Sequence, residues 1–170
     1  KYDASHDTIW VQQARTACAQ AVSVDPNLSA SHVCLGTVAL GTGDADEAIR
    51  AFTRALALEP MNDEATLWLA RAQSRRDPAA AESTYKEALV LRPQYWATHV
   101  WLGTFYREHA RYAEAAQQYD RAIALTPTNA RAYFTLCGLY GSIGRYDEAV
   151  AACRTSAALV PSGQAYSNWG

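Results

Sequence analysis

The chain is almost without lysine: of its 15 basic side chains only Lys1 and Lys86 are lysines, and the rest are arginines. That bias points to a GC-rich genome. Isoleucine is also sparse beside alanine and leucine, which withdraws support from a sheet and favours helices. Neither charge dominates: 15 basic groups face 17 acidic ones, for a net charge of -2. A nucleic-acid module would show a basic excess gathered into a stripe, so nucleic acid is excluded as the expected partner. No apolar run approaches the roughly 18 residues of a membrane span, so direct membrane insertion is not expected. The four cysteines, Cys18, Cys34, Cys137 and Cys153, lack the CxxC clustering of structural zinc. A chain of this length does not need staples, so buried thiols are the expectation. Cys137 and Cys153 could still approach each other, because they fall on paired helices of one predicted repeat. Cys18 and Cys34 are also 16 apart but occupy repeat positions unlike those of the second pair. The compartment stays open: the cytoplasm is slightly favoured, with a periplasmic or other extracytoplasmic setting if the chain is joined to a membrane segment.

What the chain has is a metre. Pro26, Pro60, Pro93, Pro127 and Pro161 are separated by 34, 33, 34 and 34 residues. A period of about 34 residues belongs to stacked helical hairpins rather than to one closed domain. An alanine-centred stripe precedes each proline: Ala14, Ala17 and Ala21; Ala48, Phe52 and Ala55; Ala81, Tyr85 and Ala88; Ala115, Tyr119 and Ala122. The last unit has Ala149, Cys153 and Ser156 in their place. Spacings of three and four put these side chains on one helical face, where small residues admit close backbone approach and one large residue fills the gap. A second helix precedes this one in each complete unit, marked by Leu35, Gly36 and Ala39; Leu69, Ala70 and Gln73; Leu102, Gly103 and Tyr106; and Leu136, Cys137 and Tyr140. Gly41, Gly43 and Asp44 form one joint, and Gly144, Arg145 and Tyr146 another. Asp77 and Pro78 form the third unit's turn, where one residue is missing. Asp77 suits the cap of the following helix and Pro78 its first turn. The pattern predicts helices over 8–24, 29–41, 45–58, 63–75, 79–91, 96–109, 113–125, 130–142 and 147–159, with another starting near 164.

These residues together resemble the tetratricopeptide repeat, whose pattern runs aromatic, Leu-Gly and Tyr, then Ala, aromatic and Pro. The fourth unit carries Leu102, Gly103, Tyr106, Ala115, Tyr119, Ala122 and Pro127. The fifth carries Tyr133, Leu136, Tyr140, Ala149 and Pro161, with Cys137 for the glycine and Cys153 for the aromatic. His32 stands for the first aromatic of the second unit, and Thr66, Ala70 and Gln73 make the third the weakest match. The resemblance implies an all-α fold: a right-handed α-solenoid superhelix of stacked antiparallel hairpins, forming one domain over 1–170. Its parts would be a partial repeat 1–26, repeats 29–60, 63–93, 96–127 and 130–161, and the start of another at 164–170. Both ends read as cut within a repeat, the second because Tyr166, Trp169 and Gly170 look like the opening of a further motif. The resemblance implies a bacterial repeat protein longer than this chain, or a repeat segment of a larger protein.

In this family the first helix of each pair commonly lines a concave groove for a peptide or a partner helix. Carried over, the peptide-binding candidates are Val33, Thr37, Leu67, Arg71, Arg75, Val100, Thr104, Arg107, Arg131 and Phe134. Arginine's planar fork suits acidic groups, while Val33, Leu67, Val100 and Phe134 would accept apolar anchors. The family's carboxylate clamp is missing, since Val33, Thr37, Trp68, Ala97 and Trp101 stand at the relevant positions. Trp68, Trp96 and Trp101 are candidate interface aromatics, because tryptophan joins a large apolar area to a donor. The same residues could instead fill gaps between stacked helices, and Trp10 is expected to cover the open end of the first pair.

Catalytic signals are weak. Gly41-Thr42-Gly43-Asp44 lacks both the Gly-Lys-Ser/Thr ending and the strand of a phosphate loop. His32 with Cys34 and Cys18, and His99 with His109, show no spacing that gathers ligands onto one face. Asp46, Glu47, Asp147 and Glu148 fall where second helices begin, where the helix dipole accounts for them. The reading is a protein-interaction scaffold without catalytic residues, metal or cofactor. The other readings are a recognition or regulatory segment of a larger enzyme such as a kinase or transferase, and a module that self-associates through exposed ends.

Overall fold

A computed structural model describes residues 4–160 of the chain. Among these residues there are nine helices and no strand: α1 Ala4–Val24, α2 Ser29–Gly41, α3 Ala45–Leu58, α4 Asp63–Gln73, α5 Pro78–Leu91, α6 Trp96–Glu108, α7 Tyr112–Leu125, α8 Ala130–Ser142 and α9 Tyr146–Leu159. The helix expected near 164, with Tyr166, Trp169 and Gly170, lies outside the described residues. Two compact units divide at a repeat junction, Lys1–Arg92 and Pro93–Gly170. In the first, α2 packs on α3 and α4 on α5, with α1 against α2 and α3 against α4. In the second, α6 packs on α7, α7 on α8 and α8 on α9.

The contact that sets each hairpin is a large side chain of the second helix seated on a small residue of the first. Phe52 and Tyr119 are completely buried. A Cβ added at Gly36 would stand 2.5 Å from the Phe52 ring, and one at Gly103 would stand 2.6 Å from the Tyr119 ring. Only glycine leaves room for these rings at that helix separation. In the third unit Ala70 holds the glycine position and Tyr85 the aromatic one, both buried. Each tyrosine carries its hydroxyl to a partner, Tyr85 to Ser74 Oγ at 3.4 Å and Tyr119 to Thr104 Oγ1 at 3.2 Å. Burying one such ring contributes about 1.5–3 kcal/mol, so the seat is a principal source of hairpin stability.

The cysteines depart from expectation: they are paired, not buried thiols. Cys137 and Cys153 form a disulfide between α8 and α9 with their Cα atoms 5.2 Å apart, and Cys18 and Cys34 form one between α1 and α2 at 5.6 Å. The physical reason lies in the seat. Cys137 holds the glycine position and Cys153 the aromatic one, so the fold that brings a ring onto a glycine elsewhere brings sulfur onto sulfur here. Cys18 shares the position of Phe52 and Cys153, and only Cys34 departs, standing where the next two units have Trp68 and Trp101. Closing a loop of about 15 residues is worth roughly 3 kcal/mol in the chain-entropy account.

The ends of the helices follow local chemistry. Asp44, Asn62 and Asp77 each accept a hydrogen bond from the backbone N–H three residues on, at 2.9 to 3.0 Å, and Pro78 opens α5. The missing residue shortens α4, which stops at Gln73 where the pattern predicts 75. Three turns reverse through a left-handed residue, Gly43, Ala110 and Gly144, with φ of 84°, 58° and 77°. Ala110 occupies the glycine position of its turn, and the following N–H of Arg111 closes onto Tyr106 C=O at 2.8 Å. Trp10 does not cover the first pair; it is exposed, as are Ala14 and Ala17.

The seat and the turn can each be tested by stability. Gly103→Ala should destabilise by about 1–3 kcal/mol, because the new Cβ meets the Tyr119 ring and the Ala115 carbonyl in a full core. Gly141→Ala, which meets nothing within 4 Å, serves as the tolerated control. Ala110→Gly should stabilise by about 1 kcal/mol, by relieving a left-handed alanine. Denaturant unfolding of the three variants beside the parent checks the order.

Candidate functional site

The helices that begin each pair, α2 and α4 in the first unit and α6 and α8 in the second, carry the residues expected to bind. Three of the expected apolar anchors are core. Val33, Leu67 and Val100 are 7%, 7% and 2% exposed. Val33 packs with Ala39, Phe52 and Leu69, and Val100 with Ala122 and Ala132. Their equivalent in α8, Phe134, is 46% exposed. The threonines spend their hydroxyls inside the fold: Thr37 donates to Cys34 C=O at 2.8 Å, and Thr104 to Val100 C=O at 2.9 Å while meeting the Tyr119 hydroxyl. Burial pushes the Tyr119 phenol up, opposed by the Thr104 hydrogen bond and the charge of Arg107. Arg75 lies beyond the shortened α4, in the turn to α5, rather than on the helical face.

What stays at the surface is arginine on tryptophan. In the first unit the Arg71 guanidinium lies 4.3 Å from the centre of the Trp68 ring, one helical turn away on α4. The Trp68 indole N–H donates to Glu64 at 3.3 Å, so this pair carries an acid of its own. In the second unit Arg131 reaches from α8 over Trp101 of α6, at 5.3 Å. Arg107 of α6 extends to α8, its Nη1 3.5 Å from where a Cβ at Gly138 would stand. Arg131, Phe134 and Gly138 follow one another at spacings of three and four along α8, so they share a stripe. Seven residues at 1.5 Å rise place the Arg131 and Gly138 ends of that stripe about 10 Å apart. The α8 position that Arg131 occupies and the one that Arg107 reaches thus lie on either side of Phe134 along the helix.

Five arginines are committed to ion pairs elsewhere on the surface. Arg15, Arg76, Arg92, Arg111 and Arg145 each hold a carboxylate, on Glu47, Asp46, Asp63, Glu114 and Glu148. Arg111 and Arg145 also stack on Tyr106 and Tyr140, and so brace two turns. Among the described residues, Arg107 and Arg131 make no ion pair. Trp96, expected at an interface, is half-buried against the Val100, Ala122 and Ala132 core. His32 and His99 sit at equivalent positions and turn a ring nitrogen toward the preceding proline carbonyl, Pro26 at 2.9 Å and Pro93 at 3.3 Å. His99 also meets Gln118 Oε1 at 2.9 Å. Among the described residues no three His, Cys, Asp or Glu side chains gather where a metal ion could be held. The Arg71 pair was legible in the sequence as a spacing of three. The Arg131 pair joins residues 30 apart on different helices, and only the fold brings them together.

Each pair should be measurable. A double-mutant cycle with Trp101→Leu and Arg131→Ala, read by denaturant unfolding, should give a coupling of about 0.5–1 kcal/mol. Additive effects would show that the stacking carries no energy.

Comparison with known proteins agrees with the architecture. Models described as "Tetratricopeptide repeat" match residues 35–95 and 72–130, and another matches 106–167. No curated protein matches the chain. Among solved structures it is similar to MamA, at 23% identity and a TM-score of 0.72, over 94% of this chain and 95% of that one. It is similar to TTC0263, a thermophilic TPR protein in Thermus thermophilus, at 22% identity and a TM-score of 0.80, over 93% and 87%. It is also similar to YrrB, a TPR protein with an unusual peptide-binding site, at 16% identity and a TM-score of 0.66, over 94% and 82%. With nine helices among the described residues, the seated rings and the matched models in phase, the chain belongs to the tetratricopeptide repeat family and has its all-α solenoid fold.

Proposed function

We propose that the chain is a protein-interaction scaffold that binds an extended peptide or a partner helix on its first-helix faces, by recognition rather than catalysis. Membership of the tetratricopeptide family supports the scaffold. The observation that carries the finer reading is the α6–α8 surface: Arg107 and Arg131 without carboxylate partners, on either side of the exposed Phe134. A guanidinium on an aromatic face keeps its donors available for a carboxylate while its own plane is held by stacking. The ligand this surface fits is an acidic segment with an apolar side chain between two acids. At about 3.3 Å per residue, α8 positions about 10 Å apart match acids about three residues apart in an extended peptide. Trp68 with Arg71 supplies a similar but partly neutralised contact in the first unit. The peptide-binding site of the structurally similar YrrB lends support to a peptide ligand.

Selection from a random peptide display library on the whole chain tests the reading. Enriched peptides should carry paired acids around a Leu or Phe and lose affinity at least tenfold on the Arg107→Glu, Arg131→Glu double variant. Their binding should also weaken with salt, as exposed charges are screened. Enrichment of sequences without acids, or binding indifferent to the charge reversal, would overturn the proposed ligand.

A further inference from the structure

All four cysteines are used in two bridges, and neither bridge is placed at random in the repeat. Cys18 and Cys153 hold the second-helix position where Phe52, Tyr85 and Tyr119 are buried, and Cys137 holds the position of Gly36 and Gly103. Where α8 meets α9, then, the ring that secures the other hairpins is absent and a covalent bond stands in its place. Two separate thiols could not replace it, because a thiol fills far less of the seat than a phenol ring and leaves its neighbours short of contacts. The α1–α2 bridge also uses the second-helix ring position, joining Cys18, which is 2% exposed, to Cys34 on the next unit's first helix, where Trp68 and Trp101 stand in the units that follow. The bridge between α8 and α9 is accessible at Cys153. A thiol-rich compartment keeps accessible cysteines reduced, whereas an oxidising one preserves such bonds.

We propose that this chain matures and works in an oxidising compartment, where Cys18–Cys34 and Cys137–Cys153 are structural bonds, the second standing in for the aromatic seat between α8 and α9. In forming each bond, two thiols lose two protons and two electrons to a disulfide oxidant, which leaves as the dithiol. The bridges then fix α1 to α2 and α8 to α9 independently of how well those interfaces are filled.

Two measurements test this. First, free thiols of the native protein are blocked with iodoacetamide in intact cells before lysis, and unreduced peptides are mapped by mass spectrometry. Cross-linked peptides pairing Cys18 with Cys34 and Cys137 with Cys153 are expected; blocked cysteines at all four positions would overturn the proposal. Second, the full chain is refolded with oxidised glutathione and melted with and without dithiothreitol. Reduction should lower Tm by about 5 °C or more and speed amide exchange in α9. The Cys137→Gly, Cys153→Tyr double variant restores the usual seat, so its α9 exchange should no longer respond to reductant. Unchanged Tm and α9 exchange on reduction of the parent chain would show that the bridges bear no structural role.

Discussion

The hairpins here depend on one contact, the close approach of a first helix to a second through a position held by glycine, by Ala70 in the third unit and by the bonded Cys137 in the fifth. Gly36 and Gly103 leave the space, and Phe52 and Tyr119 take it. Once the ring is seated, the pair of helices has one register, because the ring cannot slide past the alanines on either side of it. Ala48 and Ala55 flank Phe52, and Ala115 and Ala122 flank Tyr119, all without exposed surface. The proline metre is the outward sign of this constraint. It marks how often the chain must begin the seat again.

That register decides which residues of the first helices stay at the surface. Positions turned toward neighbouring helices become core, and this includes Val33, Leu67 and Val100. The next stripe around the helix keeps its side chains at the surface. There α8 carries Arg131 and Phe134, and α6 supplies Trp101 and Arg107. The same seat explains the α8–α9 bridge. A cysteine at the ring position meets whatever first-helix residue approaches it, and in α8 that residue is a cysteine too.

Much of this was legible in the sequence because it repeats. The bounds of α2, α3 and α8 match the predicted 29–41, 45–58 and 130–142, since caps and turn glycines recur in phase. Where phase is broken, reading fails. The deleted residue shortened α4 and moved Arg75 off its face, which no periodicity could locate. Val33, Leu67 and Val100 were assigned to a groove because a helical wheel gives direction but not the depth of the neighbouring helix. Trp96 was assigned to an interface by its residue type, and the core of the second unit claims it. The cysteines were expected as thiols because a chain of this length needs no staples, although Cys137 and Cys153 were already placed at the glycine and aromatic positions of paired helices, where they could approach.

The most direct test of the account is chemical-shift mapping of the isotopically labelled chain, titrated with a peptide bearing two acids around a leucine. The account predicts that the largest changes fall on the Trp101 indole, the Arg107 and Arg131 side chains and the Phe134 ring, while the buried Tyr119 ring stays still. Shifts confined to the outward faces of α7 and α9, or spread through the core, would contradict it.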